Sequence, residues 1–258
     1  MPSQGTRRDW ISTAKLRDDL TKFFGKSRRD LGLFGSTVNQ TFEAFVFASV
    51  ISWYKERGWR VNFENPGPAQ AGGKRTLRLK FSTRGRPENY TYARCFLSDE
   101  AIQIRHQLRV ATRAYKRANT FRANIVLDVA VIGDLDLSQH GTNDHVENGD
   151  LITFGEAKHM SAFAELVASF LGVVHEMQPD RLRRRRFKTK SAQAKTPKPT
   201  HPSPFLFVSG FLFYTAQGLA ETIVNRGFDV DVWSRTRQMT SAIAVASGSH
   251  EQMRDAVS

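Results

Sequence analysis

The chain holds a single cysteine, Cys95, among 258 residues. One thiol excludes an intramolecular disulfide and fits a reducing compartment. No apolar run reaches the roughly 18 residues that a membrane span needs. The richest, FVFASVISWY at 45–54, is short and closely follows Glu43. The opening stretch MPSQGTRRDW lacks the apolar core of a secretion signal, so the expectation is a cytoplasmic protein with no membrane partner. Glycine-rich phosphate loops and the G-x-S-x-G elbow are also missing, which ranks nucleoside-triphosphate hydrolysis and acyl transfer low. His106, His140, His145, His159, His175, His201 and His250 are scattered and show no zinc-ligand spacing.

Acidic residues are in short supply. The chain has 25 Asp and Glu against 38 Lys and Arg, a formal net charge of +13. That excess favours a polyanionic partner, because each neutralised phosphate releases bound counterions. Nucleic acid is the expected partner. What the chain has in quantity is apolar mass: 40% hydrophobic residues with 19 Phe and four Trp, enough for one sizeable core.

Along the chain, 1–36 reads as a basic N-terminal extension with short helical stretches around TAKLRDDLTKFF. NQTFEAFVFASVISWYKERGW reads as a helix ended near Gly58. RVNFENPG, RTLRLKFST and YTYARCFLS read as strands. SDEAIQIRHQLRVATRAYKRAN, over 98–119, reads as an inserted basic helix, with Ser98 as its N-cap and acids in its first turn. On such a helix Arg105, Arg109, Arg113 and Lys116 form one basic ridge suited to phosphate. NIVLDVAVIGD is a strongly apolar strand, and DLITFGEAKHM is another. SAFAELVASFLGVVHEM follows as an amphipathic helix with Ser161 as its expected N-cap. The segment 181–204 carries nine Lys or Arg between 181 and 198, among them Arg183, Arg184, Arg185 and Arg186. Its prolines and self-repulsion predict a mobile basic loop. FLFVSGFLFY, TAQGLAETIVNRG and FDVDVWS close the pattern as strand, helix and strand. The whole, 1–258, reads as one α/β domain, a mixed central sheet with helices on both faces.

Two acids do not fit an ordinary apolar strand. Asp128 lies mid-strand with Val126, Ala130 and Ile132 expected on its own face. In DLITFGEAKHM, alternation puts Glu156 and Lys158 on one side, about 6.6 Å apart, with Ile152 and Phe154. Glu156 and Lys158 could neutralise each other as a structural ion pair. If the strands of Asp128 and Glu156 pair as a hairpin, however, the two carboxylates meet and repel. A divalent cation removes that conflict, and hard oxygen ligands suit Mg²⁺ or Mn²⁺. Asp134, Asp136 and Asp150 are rival acids that read better as turn residues. Glu43, with Val46 and Phe47 one turn on, is a candidate third acid.

Asp128, then Glu156-Ala157-Lys158, a preceding helix bearing Glu43 and a following amphipathic helix together resemble the PD-(D/E)xK nuclease superfamily. The resemblance covers 39–57 and 123–233. Leu127 stands where the motif's proline would be, and the 28-residue offset from Asp128 to Glu156 is long. The resemblance implies a restriction-endonuclease-like αβββαβ core with an inserted basic helix, and Mg²⁺-dependent phosphodiester hydrolysis, with Mn²⁺ able to substitute. It implies that Asp128, Glu156 and the Ala157 carbonyl bind metal, that Glu43 is a further ligand and that Lys158 acts on the attacking water. IVLD with EAK is also reminiscent of effector nucleases from bacterial antiphage systems, which would allow a homo-oligomer or an activating partner. The competing expectation is a nucleic-acid-binding module on the same fold, without catalysis. A weaker one is an interaction subunit whose basic loop contacts a protein or RNA.

Overall fold

The structure, a computed structural model, describes residues 38–65, 77–113, 123–183 and 200–234. Its first element is helix α1, Val38–Lys55. Phe42, Val46, Phe47, Val50, Ile51, Trp53 and Tyr54 are all fully buried, so this helix is apolar around most of its circumference. Such a helix belongs inside a fold rather than on its surface. It stops where Gly58 takes the left-handed φ of 84°, a conformation glycine adopts without a Cβ penalty.

Strands β1 (Arg60–Glu64), β2 (Tyr92–Leu97), β3 (Glu100–Ala111), β4 (Asn124–Gly133) and β5 (Leu151–Lys158) then build an antiparallel meander. Helix α2 (Ala164–Met177) carries the chain to β6 (Phe205–Val208), and helix α3 (Tyr214–Arg226) carries it to β7 (Asp231–Ser234). Both returns produce parallel pairing, β5 with β6 and β6 with β7. The result is one seven-stranded mixed sheet in sequence order. Parallel neighbours need such crossovers, whereas the antiparallel ones need only turns.

Two cores cover the two faces. On one, α1 packs on Ile102, Ile104, Val129, Val131, Ala157, Phe205 and Phe207. On the other, Val167, Phe170 and Val174 of α2 and Ala216, Ala220 and Ile223 of α3 pack on Leu127, Ala130, Phe154, Leu206 and Val208. This is the α/β arrangement expected, a mixed sheet with helices on both faces. Among the described residues no helix is long and apolar enough to cross a membrane.

Several local expectations are overturned. Residues 100–111 are strand β3, not part of a basic helix over 98–119; residues 114–122, with Lys116, lie outside the described residues. Leu97 pairs with Glu100, so Ser98, at φ 50°, opens a hairpin turn instead of capping a helix. The strand expected at RTLRLKFST is absent: of its residues, 77–83 are described and form no ladder, although Leu77 and Leu79 are buried against the α1 core. Ser161 does not cap α2; Phe163 holds that position, and the Ser161 hydroxyl accepts the Phe211 N–H instead. The basic extension at 1–36 and residues 184–199 of the expected mobile loop also lie outside the described residues.

Candidate active site

The site forms where β3, β4 and β5 meet, and Gln107 links it to Glu43 of α1. The β4–β5 ladder ends at Val129 paired with Gly155, and Asp128 and Glu156 are the next residues outward on the two strands. The Ala157 N–H donates to Asp128 Oδ2 at 2.9 Å. In an extended strand a residue's N–H and C=O point to the same edge, so the Ala157 carbonyl faces Asp128 as well. Lys158 Nζ donates to Asp128 Oδ2 at 2.8 Å and to Glu156 Oε2 at 2.9 Å. The Asp128 and Glu156 side chains are 9% and 13% exposed and Lys158 36%, so the ammonium forms the mouth of the cluster.

A close approach of backbone holds β5 in place. A Cβ on Gly155 would run into the Phe205 ring of β6. Only glycine leaves room for the tip of that ring against the strand carrying Glu156. A register shift between Val131 and Ile132 has a second effect on β5. Ile152 packs on the α1 core while Leu151 and Phe154 pack on the opposite one. Ile152 therefore does not share the face of Phe154, as simple alternation predicts.

Two residues join the site that no motif marks. Gln107 Nε2 donates to Asp128 Oδ1 at 2.9 Å and to Glu43 Oε2 at 3.1 Å, tying the α1 acid to the sheet. Gln107 has φ 52° in the middle of β3. A non-glycine residue in that region is strained. The strain has a structural effect. Ile102 and Ile104 before it pack on the α1 core, and Leu108 and Val110 after it pack on the opposite core. The strand thus changes face at Gln107. His106, with its side chain 1% exposed, places Nε2 3.4 Å from Glu43 Oε2. Its Nδ1 meets the Lys80 carbonyl, which can only accept, so that nitrogen carries the proton. A signal for both residues stands in AIQIRHQLRVA, whose apolar residues alternate, although the spacing of its arginines suggests a helix.

The electrostatics follow from this crowding. Burial, and then the neighbouring Asp128 charge, push the Glu156 carboxyl up to about 7. Burial works against the Lys158 charge, but Glu156 and Asp128 outweigh it and hold the ammonium above its ordinary range. Asp128 and Glu156 thus share one cation, Lys158, while Glu43 meets Gln107 and His106.

The remaining acids sit elsewhere. Asp134 accepts from Gln103 at 3.0 Å and is ion-paired with Arg94. Asp136 accepts the Ser138 N–H in a turn, and Asp150 ends a short 3₁₀ turn before β5.

The basic ridge does not form. Arg105 is buried, bonded to Glu88 at 2.7 Å and stacked 3.7 Å over the Tyr92 ring, so it is a core residue rather than a phosphate contact. Arg109 donates to Asn124 Oδ1 at 2.6 Å. Arg113 and Arg183 both pair with Asp180, the latter at 3.1 Å. Arg184, Arg185 and Arg186 lie outside the described residues. Cys95 is buried, and burial pushes its thiol up to about 12, which removes it as a nucleophile.

No family model matches the chain, nor does any curated protein or solved structure.

Among the described residues no three His, Cys, Asp or Glu side chains gather closely enough to hold an ion unaided. Asp128 and Glu156 nevertheless converge on one Lys158 nitrogen, with the Ala157 backbone beside Asp128. All these donors are hard oxygens. They fit a magnesium-type dication that keeps water or phosphate oxygens in its other positions.

Proposed function

We propose that the protein is a metal-dependent nuclease that hydrolyses phosphodiester bonds, with DNA the favoured substrate. One observation carries this reading: the Asp128 and Glu156 carboxylates, from neighbouring strands, converge on Lys158 Nζ. The order α1, β3, β4, β5, α2, β6 supports it. That order is helix, three antiparallel strands, helix and a parallel strand, with the lone acid on the middle strand and Glu-x-Lys on the third. With β1 and β2 standing between α1 and β3, this order is compatible with the αβββαβ core that the PD-(D/E)xK resemblance implies. The effector-nuclease role in bacterial defence belongs to the same proposal.

Asp128, Glu156 and the Ala157 carbonyl would hold Mg²⁺ or Mn²⁺, with Glu43 a further oxygen donor. Such an ion, when bound, polarises a phosphate oxygen and acidifies a water. The residues supply the rest. Gln107 fixes the Asp128 carboxylate by one oxygen and Ala157 N–H fixes it by the other. Lys158, the exposed member, meets the incoming phosphate at the mouth of the site. Held as an ammonium, it orients the attacking water and stabilises charge growing on the phosphoryl oxygens.

The test is cleavage of plasmid and linear DNA by pure protein with Mg²⁺, with and without chelator. Cleavage that the chelator stops and Lys158→Ala abolishes supports the reading; cleavage that survives Asp128→Ala with Glu156→Ala ends it. The Lys158 ion pairs themselves favour one alternative, a nucleic-acid-binding module in which the triad is purely structural. Salt-sensitive binding with no cleavage of any substrate would select it.

A further inference from the structure

The pairing of β5 with β6 does not stop at Lys158 and Val208. Ser209 N–H donates to the Lys158 carbonyl at 3.1 Å and Gly210 N–H to the Met160 carbonyl at 3.1 Å. Ala162 N–H then donates to Phe211 and Phe213 N–H to Ala162, each at 2.9 Å. A two-chain ribbon therefore runs out of the candidate site, rooted on the carbonyl of Lys158 itself. It leads directly into α2 and α3.

This ribbon carries an unusual side-chain set. Among the described residues, the exposed large hydrophobic side chains are Met160 at 39%, Phe163 at 49% and Tyr214 at 90%. All three lie on the ribbon or at its end. Phe163 stacks on Phe213 with centroids 4.1 Å apart and planes 15° off parallel, and Phe211 meets Phe213 edge-on at 4.5 Å. Phe163 and Phe213 are also the N-cap residues of α2 and α3, and neither side chain caps its helix. Ser, Thr, Asp or Asn at such a position typically stabilises a helix by about 1 kcal/mol, and phenylalanine offers nothing comparable. The same local preference is set aside twice, on adjacent segments, in favour of an exposed ring at Phe163 and a half-buried one at Phe213. Departures of that kind gather at functional sites.

We propose that this aromatic ribbon binds the bases of an unpaired strand whose phosphate lies at Lys158. The proposal rests on the nuclease reading and narrows its substrate to single-stranded or locally opened nucleic acid. Inside a duplex, bases are stacked on one another and offer only their edges and phosphates. Unpaired bases have free faces, and aromatic side chains bind them without regard to sequence. The net charge of +13 suits the accompanying phosphates. The patch is also continuous with the strand that carries Glu156 and Lys158, so one strand can occupy both.

The experiment is fluorescence anisotropy on the full chain with chelator present, using three labelled DNA probes of equal length. These are a mixed-sequence single strand, an abasic single strand and a duplex. Wild type should bind the mixed single strand about tenfold or more tighter than the abasic one, the scale expected of base–aromatic stacking. Phe163→Ser with Tyr214→Ser should remove that advantage and leave abasic affinity unchanged. Serine places a capping hydroxyl at the start of α2, so this variant keeps its fold, and an unchanged circular dichroism spectrum checks it. Equal wild-type affinity for the two single strands overturns the inference alone, as does a variant that keeps the preference. A dimer in sedimentation that the variant dissolves also overturns it, because the ribbon would then pair two copies. Wild type that binds none of the probes overturns the inference and the nuclease reading together.

Discussion

Gln107 and Asp128 face each other across β3 and β4, joined by a 2.9 Å hydrogen bond, where β3 changes face. The bond explains why a glutamine tolerates φ 52°. In that conformation its amide reaches Asp128 and Glu43 together. The αL region costs a residue with a Cβ about 1–2 kcal/mol. Gln107→Ala and Gln107→Gly both lose the amide, but glycine has no such penalty. The glycine variant should therefore unfold at higher urea than the alanine variant, by about 1 kcal/mol. Both should cleave about 10–100-fold more slowly than wild type, the usual effect of removing a residue that orients a metal ligand. Equal stability of the two variants would show that the backbone there is unstrained.

Glu156 makes stability depend on pH. Its carboxyl titrates near 7 in the folded chain, well above its ordinary 4.5. The folded state thus binds the proton more tightly than the unfolded state does. The contribution is fully present below about 4.5 and is lost as pH rises through about 7. Urea midpoints of the metal-free protein should fall between about pH 5 and 8, and Glu156→Gln should flatten that part of the curve. On the nuclease reading a dication would take the place of the proton, so Mg²⁺ should raise the thermal midpoint more at about pH 8 than at about pH 6. A wild-type profile that matches that of the Glu156→Gln variant would contradict this.

Arg105 separates structure from binding. Its guanidinium is buried, bonded to Gln103 and Glu88 and stacked on Tyr92. Arg105→Met should cost about 2–3 kcal/mol, the range for a lost hydrogen bond to a charged group plus packing. Affinity for DNA at fixed salt should not change. A weaker salt dependence of binding in this variant would return Arg105 to the phosphate-contacting set.

Gly155 tests the support under the site. Alanine there would drive its Cβ into the Phe205 ring, which overpacks the core by about 1–3 kcal/mol and shifts Glu156 next door. Gly155→Ala should lower both stability and cleavage. Adding Phe205→Leu should recover part of the stability, measured by denaturant titration.

The acids are legible in the sequence because each is an isolated charge in an apolar strand. Asp128 in IVLDVAVI and Glu156 in ITFGEAK stand out against Val, Ile and Phe, and opposite-charge pairing or metal is the physical remedy in either case. Strand β3 misleads for a specific reason. Arg105, Arg109 and Arg113 recur at helical spacing, and Ser98 with two following acids imitates a helix start. The strict alternation of Ile102 and Ile104 with Gln103 and Arg105 is the better guide. The change of face at Gln107 is beyond reach, since no glycine, asparagine or aspartate marks its left-handed backbone. The move of Ile152 to the other face is hidden likewise, because the irregularity near Val131 has no local residue signature. The start of α2 is easily misplaced because Ser161, a good cap by type, is used by the backbone of Phe211.

The account depends on Asp128 and Glu156 jointly holding a dication, and a Mn²⁺-soaked crystal tests that most directly. It should show an anomalous peak about 2.1–2.2 Å from both carboxylates and beside the Ala157 carbonyl, with Lys158 displaced from its present bridge. An ordered site with Lys158 still bonded to both acids and no peak between them, at saturating Mn²⁺, would contradict it.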